Sequence, residues 1–130
     1  MGLFGKDDDK TILIVEDDES AALLLTKILE TLGYKTKFAD GGVEALKQIQ
    51  KIRPDLVLLD IMMPGMDGSE VLSKIKNNPE TKDIPVIIVT ALTDIKMVEK
   101  HFQWGASGYI TKPIDPNRLK AKIDSILSPK

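Results

Sequence analysis

The sequence contains no cysteine, which excludes a disulfide framework and any thiolate metal site and fits a reducing compartment. It contains one histidine, His101, so no His-rich zinc set can be assembled. As a lone polar residue in a helical segment, His101 is expected on the helix surface. No apolar run reaches the length of a membrane span, and the leading MGLFGKDDDK lacks the apolar centre of a signal peptide. Lys6 stands where a myristoylation signal needs Ser or Thr. An excess of one charge is missing too: 18 basic against 20 acidic residues leave a net charge of -2, which gives no general attraction to nucleic acid or anionic lipid. Neither GxGxxG nor a P-loop is present, which argues against nucleotide binding. A cytoplasmic protein without direct nucleic-acid or membrane binding is the expectation.

What is present is a globular composition, 42% apolar and 29% charged over 130 residues, enough for one domain with a real core. Residues 1–10 read as a flexible leader or a tag remnant, and 11–128 as the domain. Five short runs, TILIV (11–15), YKTKFA (34–39), LVLLD (56–60), PVIIVT (85–90) and GYIT (108–111), alternate with helical patterns. Most of these runs are nearly continuous hydrophobes, as in central strands covered on both faces. The first helix presents Leu25, Ile28, Leu29 and Leu32 and stops at Gly33. The second opens near Asp40-Gly41, uses Val43, Leu46 and Ile49, and ends before Pro54. Asp67-Gly-Ser-Glu70 has capping-box spacing for the third, and Asp115-Pro116 supplies the N-cap and first position of the last. The fourth, over 94–104, is expected to pack Ile95, Val98 and Phe102. This alternation predicts an α/β domain with a parallel sheet, whose ligand site lies outside the carboxyl ends of the strands at the switch in strand order.

Those ends carry the polar residues. Glu16-Asp17-Asp18 follow the first strand, Asp60 ends the third, Thr90 ends the fourth, and Lys112-Pro113 follow the fifth. Asp18 reads best as a helix N-cap, whereas Asp60 precedes a loop rather than a helix. Carboxylates a few ångströms apart repel by about 1–4 kcal/mol per pair, and a divalent cation relieves that repulsion. All-oxygen ligation suits Mg²⁺ (or Mn²⁺). With a lysine, a hydroxyl and a spare carboxylate beside it, such a site has the parts for phosphoryl transfer to a carboxylate nucleophile.

The pieces ILIVEDDES, ADGGVEAL, DIMMPGMDG, VTAL and GYITKP, in that order, resemble the receiver domain of two-component response regulators, of the single-domain, chemotaxis-regulator-like type. The resemblance implies a (βα)5 flavodoxin-like, doubly wound five-stranded parallel sheet of order 2-1-3-4-5. It makes Asp60 the phosphoacceptor, Asp17 a direct Mg²⁺ ligand, Glu16 a ligand through water, and the Met62 carbonyl a further ligand. Thr90, the Ala91 backbone N–H and Lys112 would contact the phosphoryl group, with Lys112 paired to Asp60 beforehand. Lys112-Pro113 is expected to be cis, and Tyr109 is implied as the switch residue that turns inward when Thr90 moves. The family usually has Asp-Asp where this chain has Glu16-Asp17, a variant that retains the metal.

The implied partners are a sensor histidine kinase or histidine phosphotransfer protein upstream and a protein target downstream, with the chain a monomer or a weak phosphorylation-dependent dimer. Donor docking would use Ser20, Ala21, Leu24, Pro113 and Ile114. The output face would be the fourth helix, fifth strand and fifth helix. There Met97, His101 and Trp104 fall at i, i+4 and i+7 and would form an exposed stripe; Trp104 stands where the family has a small residue before Gly105-Ala106. Met62 and Leu92 are apolar where polar side chains could position a hydrolytic water, which points to a long-lived phosphoryl group. Two other readings stand beside it: a pseudo-receiver, a binding module with this fold that works without phosphate, and a true enzyme such as a Mg²⁺-dependent aspartyl-phosphate hydrolase, whose DxD motif is missing because Ile61-Met62 follow Asp60.

Overall fold

The structure, a computed structural model, describes residues 10–63, 65, 67–91 and 94–127. The leader up to residue 9, Pro64, Leu92 and the end of the chain lie outside the described residues. The elements are β1 (Thr11–Val15), α1 (Glu19–Thr31), β2 (Lys35–Ala39), α2 (Gly42–Ile52), β3 (Leu56–Leu59), α3 (Gly68–Lys76), β4 (Val86–Thr90), α4 (Ile95–Gln103), β5 (Gly108–Thr111) and α5 (Pro116–Leu127). All four strand pairings are parallel, and the order is β2-β1-β3-β4-β5, the flavodoxin-like arrangement.

The strands lack polar alternation because both faces are covered, yet side chains still alternate in direction. Ile12, Ile14, Leu56, Leu58, Ile87 and Val89 join Leu25 and Leu29 of α1 and Leu119 and Ile123 of α5. Leu13, Val15, Val57, Leu59, Val86 and Ile88 point the other way, onto Ala45 and Ile49 of α2 and Val71, Leu72 and Ile75 of α3. Two apolar layers therefore clamp the sheet, and β1 and β3 lie at its centre. The edge strand β2 differs, with Lys35 and Lys37 exposed.

Local signals set the helix ends. The Asp18 side chain accepts from the N–H groups of Ser20 and Ala21 and caps α1, as its sequence position suggested. Asp67 accepts from Glu70 N–H at 3.0 Å to open α3. Gly33 follows α1 with φ +97°, the left-handed conformation that ends helices.

Two helix faces differ from the periodicity reading. Val43 is exposed, since it lies in the first turn of α2 while Ala45 and Ile49 do the packing. On α4 the difference is larger: Ile95 is 71% and Phe102 45% exposed, whereas His101, expected at the surface, is fully buried. Val98 and Met97 are half-buried beside it. The Met97–His101–Trp104 row therefore turns inward at its centre and does not form an exposed stripe.

The start of α3 is pressed against the end of β3. A Cβ at Gly68 would lie 2.5 Å from both the carbonyl oxygen of Asp60 and the Cα of Ile61, and Gly68 N–H donates to Ile61 C=O at 3.0 Å. Gly68→Ala should therefore lower stability by about 1–3 kcal/mol through overpacking against backbone, read as a reduced denaturant midpoint at unchanged slope. An unchanged midpoint would show that the loop yields freely.

Candidate functional site

The chain moves outward from β1 to β2 and then back across to β3, so the topological switch lies between β1 and β3. The residues just past these two strands are Glu16-Asp17 and Asp60. Glu16 and Asp60, and Lys112 after β5, are held by continuing the sheet's hydrogen bonding one step beyond their strands. Asp60 N–H donates to Val15 C=O at 3.0 Å, Glu16 N–H to Ala39 C=O at 3.1 Å, and Lys112 N–H to Thr90 C=O at 2.9 Å. The backbones of Glu16, Asp60 and Lys112 are thus each fixed by the last residue of a neighbouring strand.

Ligand oxygens of Glu16, Asp17 and Asp60 all lie within 4.8 Å of one another. Glu16 is 1% and Asp60 4% exposed, and Asp17 faces solvent. Lys112 reaches between the buried pair, with Nζ 2.9 Å from Glu16 Oε1 and 3.4 Å from Asp60 Oδ2. The lysine thus holds the glutamate more closely than the expected partner Asp60, because the longer side chain brings its carboxylate to the ammonium. Glu16 Oε2 accepts from Asp18 N–H at 3.2 Å, and Asp60 Oδ1 from Met62 N–H at 3.0 Å. Lys112-Pro113 is cis, as expected.

The charges are incompletely balanced. Burial raises the Glu16 carboxyl above the ordinary range; the Lys112 hydrogen bond and the Asp18 N–H oppose this, and the charge of Asp60 adds to it. Burial alone would depress Lys112, but the hydrogen bond and charge of Glu16, together with Asp60, raise it. The carboxylates of buried Glu16 and Asp60 and exposed Asp17 form an all-oxygen donor set that fits a hard divalent cation, and among the described residues no thiolate or imidazole joins them.

Thr90 is fully buried at the end of β4, and Ala91 is exposed beside it. Tyr109 is half-buried on β5, and its hydroxyl lies 3.1 Å from His101 Nδ1 rather than in water. The far side of that ring, Nε2, is 2.9 Å from Ser69 Oγ. The sequence reading did not single out Ser69 and gave His101 the wrong face. The available signal was that His101 follows Met97 and Val98 by four and three positions, the spacing of one helix face. Leu24 is exposed on α1, and Ser20 is exposed in its first turn while Ala21 is half-buried.

Residues 12–124 match the response regulator receiver domain family. The chain is 38% identical over 105 residues to sporulation initiation phosphotransferase F of Bacillus subtilis, covering 81% of this chain and 83% of that protein. It is 42% identical over 93 residues to response regulator PleD of Caulobacter vibrioides, covering 72% of this chain but 20% of PleD. The chain therefore spans about a fifth of the length of that relative. Among solved structures, the chemotaxis protein CheY4 of Vibrio cholerae superposes with a TM-score of 0.86 at 29% identity, over 91% of this chain and 98% of that one. Fold, acidic rim and these matches agree: the chain belongs to the response regulator receiver domain family. Among the described residues, no helix is long and apolar enough to cross a membrane.

Burial holds the His101 imidazole below the ordinary histidine range, with the charge of Asp67 acting in the opposite direction. The unfolded chain thus takes up this proton first, so the stability associated with neutral His101 is present above the ordinary value of about 6.5 and is lost as pH falls below it. Relative to His101→Phe, the wild type should lose up to about 1 kcal/mol between about pH 7.5 and 5.5, measured by denaturant titration. A difference independent of pH would show that the ring titrates alike in folded and unfolded chains.

Proposed function

We propose that Asp60 accepts a phosphoryl group from the phosphohistidine of a sensor histidine kinase or histidine phosphotransfer protein, and that the chain relays the change to a downstream protein. The observation that carries this reading is the cluster of Glu16, Asp17 and Asp60 at the topological switch point, with Lys112 bridging the buried Glu16 and Asp60. Family membership and the match over most of a protein named as a phosphotransferase support it.

In this reading a carboxylate oxygen of Asp60 forms the new O–P bond while the P–N bond of the donor breaks, its electron pair staying on the donor imidazole. Glu16, Asp17, Asp60 and the Met62 carbonyl would hold Mg²⁺. When bound there, the ion neutralises charge on the phosphoryl oxygens and among the acids. Lys112, paired with Glu16 and Asp60, would exchange carboxylate contacts for a phosphoryl oxygen, and Thr90 and the Ala91 N–H at the neighbouring strand end would contact the others. The set stabilises charge that develops during transfer, and its groups need little rearrangement because the sheet fixes their backbones. Sustained turnover is not part of this reading, since one transfer leaves the acceptor modified.

Donor docking is assigned to Ser20, Ala21 and Leu24 on α1 with Pro113 and Ile114, next to the acids. Output is assigned to α4, β5 and α5, where Tyr109 meets α4 and where Ile95, Phe102 and Trp104 are exposed. Met97 contributes to that face only in part, being half-buried. A pseudo-receiver would have no use for a charged, partly unbalanced rim, and this favours the phosphoacceptor reading.

Asp60→Asn should abolish Mg²⁺-dependent labelling by a small phosphodonor such as acetyl phosphate while retaining the wild-type circular dichroism and cooperative unfolding. Persistent labelling of this variant would move the acceptor elsewhere, and an unlabelled wild type would favour the pseudo-receiver. Met62 is 59% exposed beside Asp60, and a polar group there can hydrogen-bond an attacking water. Met62→Asn should therefore shorten the half-life of the phosphorylated protein severalfold, on the order of 1 kcal/mol in barrier. An equal half-life would remove the apolar shielding argument.

A further inference from the structure

The only histidine of the chain sits fully buried on α4, outside the phosphoacceptor cluster, with both ring nitrogens engaged. Nε2 meets Ser69 Oγ at 2.9 Å and Nδ1 meets the Tyr109 hydroxyl at 3.1 Å. The Tyr109 ring stacks on the imidazole, with centroids 6.0 Å apart and planes at 20°, and Trp104 approaches it edge-on at 5.8 Å. A buried imidazole without partners would be destabilising, and an apolar side chain would fill the same space at less desolvation cost. Neutral imidazole has one donor and one acceptor, so two hydroxyl groups that can each do either satisfy it completely.

The two hydroxyl groups come from functionally different places. Tyr109 belongs to β5, and Ser69 to the first turn of α3. The residue before Ser69 is Gly68, whose N–H bonds Ile61 C=O and which leaves no room for a Cβ beside the Asp60 carbonyl. The loop after Asp60 thus connects through the start of α3, Ser69 and His101 to the hydroxyl of Tyr109. No member of this route is Thr90.

We propose that His101 is a positioning residue: it fixes the orientation of Tyr109 and, through Ser69, makes that orientation respond to the backbone that follows Asp60. Tyr109 then has two inputs, the space beside Thr90 and the imidazole. The proposal rests on the reading of Asp60 as the phosphoacceptor. Coupling of this kind requires that the linked groups share two arrangements that the input biases. The hydrogen-bonded ring supplies them, because Nδ1 is either paired with the Tyr109 hydroxyl or left without that partner while Nε2 stays on Ser69.

The test is nitrogen-15 spectroscopy of the side chain in the intact chain, where one imidazole gives an unambiguous signal. Beryllofluoride with Mg²⁺ serves as the phosphoryl mimic. In the wild type, the amides of residues 60–62 and both His101 nitrogens should shift on its addition. In the unliganded protein, Tyr109→Phe should shift Nδ1. Ser69→Ala should leave the response at 60–62 intact while reducing the displacement of the Tyr109 ring signals about twofold or more, and Ser69→Thr, which keeps the hydroxyl, should restore it. A purely structural role for Ser69 and His101 would change stability without altering these displacements. Responding amides with unmoved His101 nitrogens would overturn the coupling alone. So would an Nδ1 indifferent to Tyr109→Phe, or a Ser69→Ala response equal to the wild type. Silent amides at 60–62 would overturn the phosphoacceptor reading and the coupling with it.

Discussion

Two carboxylates buried side by side against one ammonium are the constraint around which the rest of this domain is arranged. Glu16 and Asp60 are almost without solvent contact, and Lys112 touches both. Removing charge from water costs several kcal/mol per ion unless partners compensate. The compensation here is deliberately partial: the lysine and two backbone N–H groups serve the acids, and a net negative charge stays at the rim. A site built in this way attracts cations and accepts a group whose own charge must then be balanced.

Holding such a cluster together requires a rigid mount. Strands β1 and β3 supply it, since both are buried on two faces and their hydrogen bonding continues through the backbone N–H of Glu16 and Asp60. The apolar layers oppose electrostatic spreading by making any shift of these strands a shift of the whole core. Gly68 completes the frame from the other side, allowing α3 to start directly against the Asp60 carbonyl.

Much of this was legible in the sequence because the features are local. The continuous apolar runs marked β1, β3 and β4, the acids directly followed β1 and β3 and the lysine followed β5, and Asp18, Asp67 and Asp115 marked helix starts. Strand order came from the family resemblance rather than from periodicity. The α4 helix was misread for a physical reason. Its apolar residues Ile95, Val98 and Phe102 suggest a core face, but His101 takes the buried position because Ser69 and Tyr109, on two other elements, satisfy its ring. Partners contributed from a distance leave no mark in a helical wheel. The closer pairing of Lys112 with Glu16 was likewise invisible, since it depends on side-chain reach at a strand end rather than on residue order.

The two margins of the sheet are chemically unequal. Among the described residues, strand β2 pairs only with β1 and carries exposed Lys35 and Lys37, while β5 pairs only with β4 and reads Gly-Tyr-Ile-Thr without a charge. Lysines on a free margin oppose the approach of a second strand by repulsion and by the desolvation they would require. The sheet therefore has a handed sociability: additional backbone is repelled at the β2 border and meets no fixed strand charge at the β5 border, on the side where Tyr109 resides.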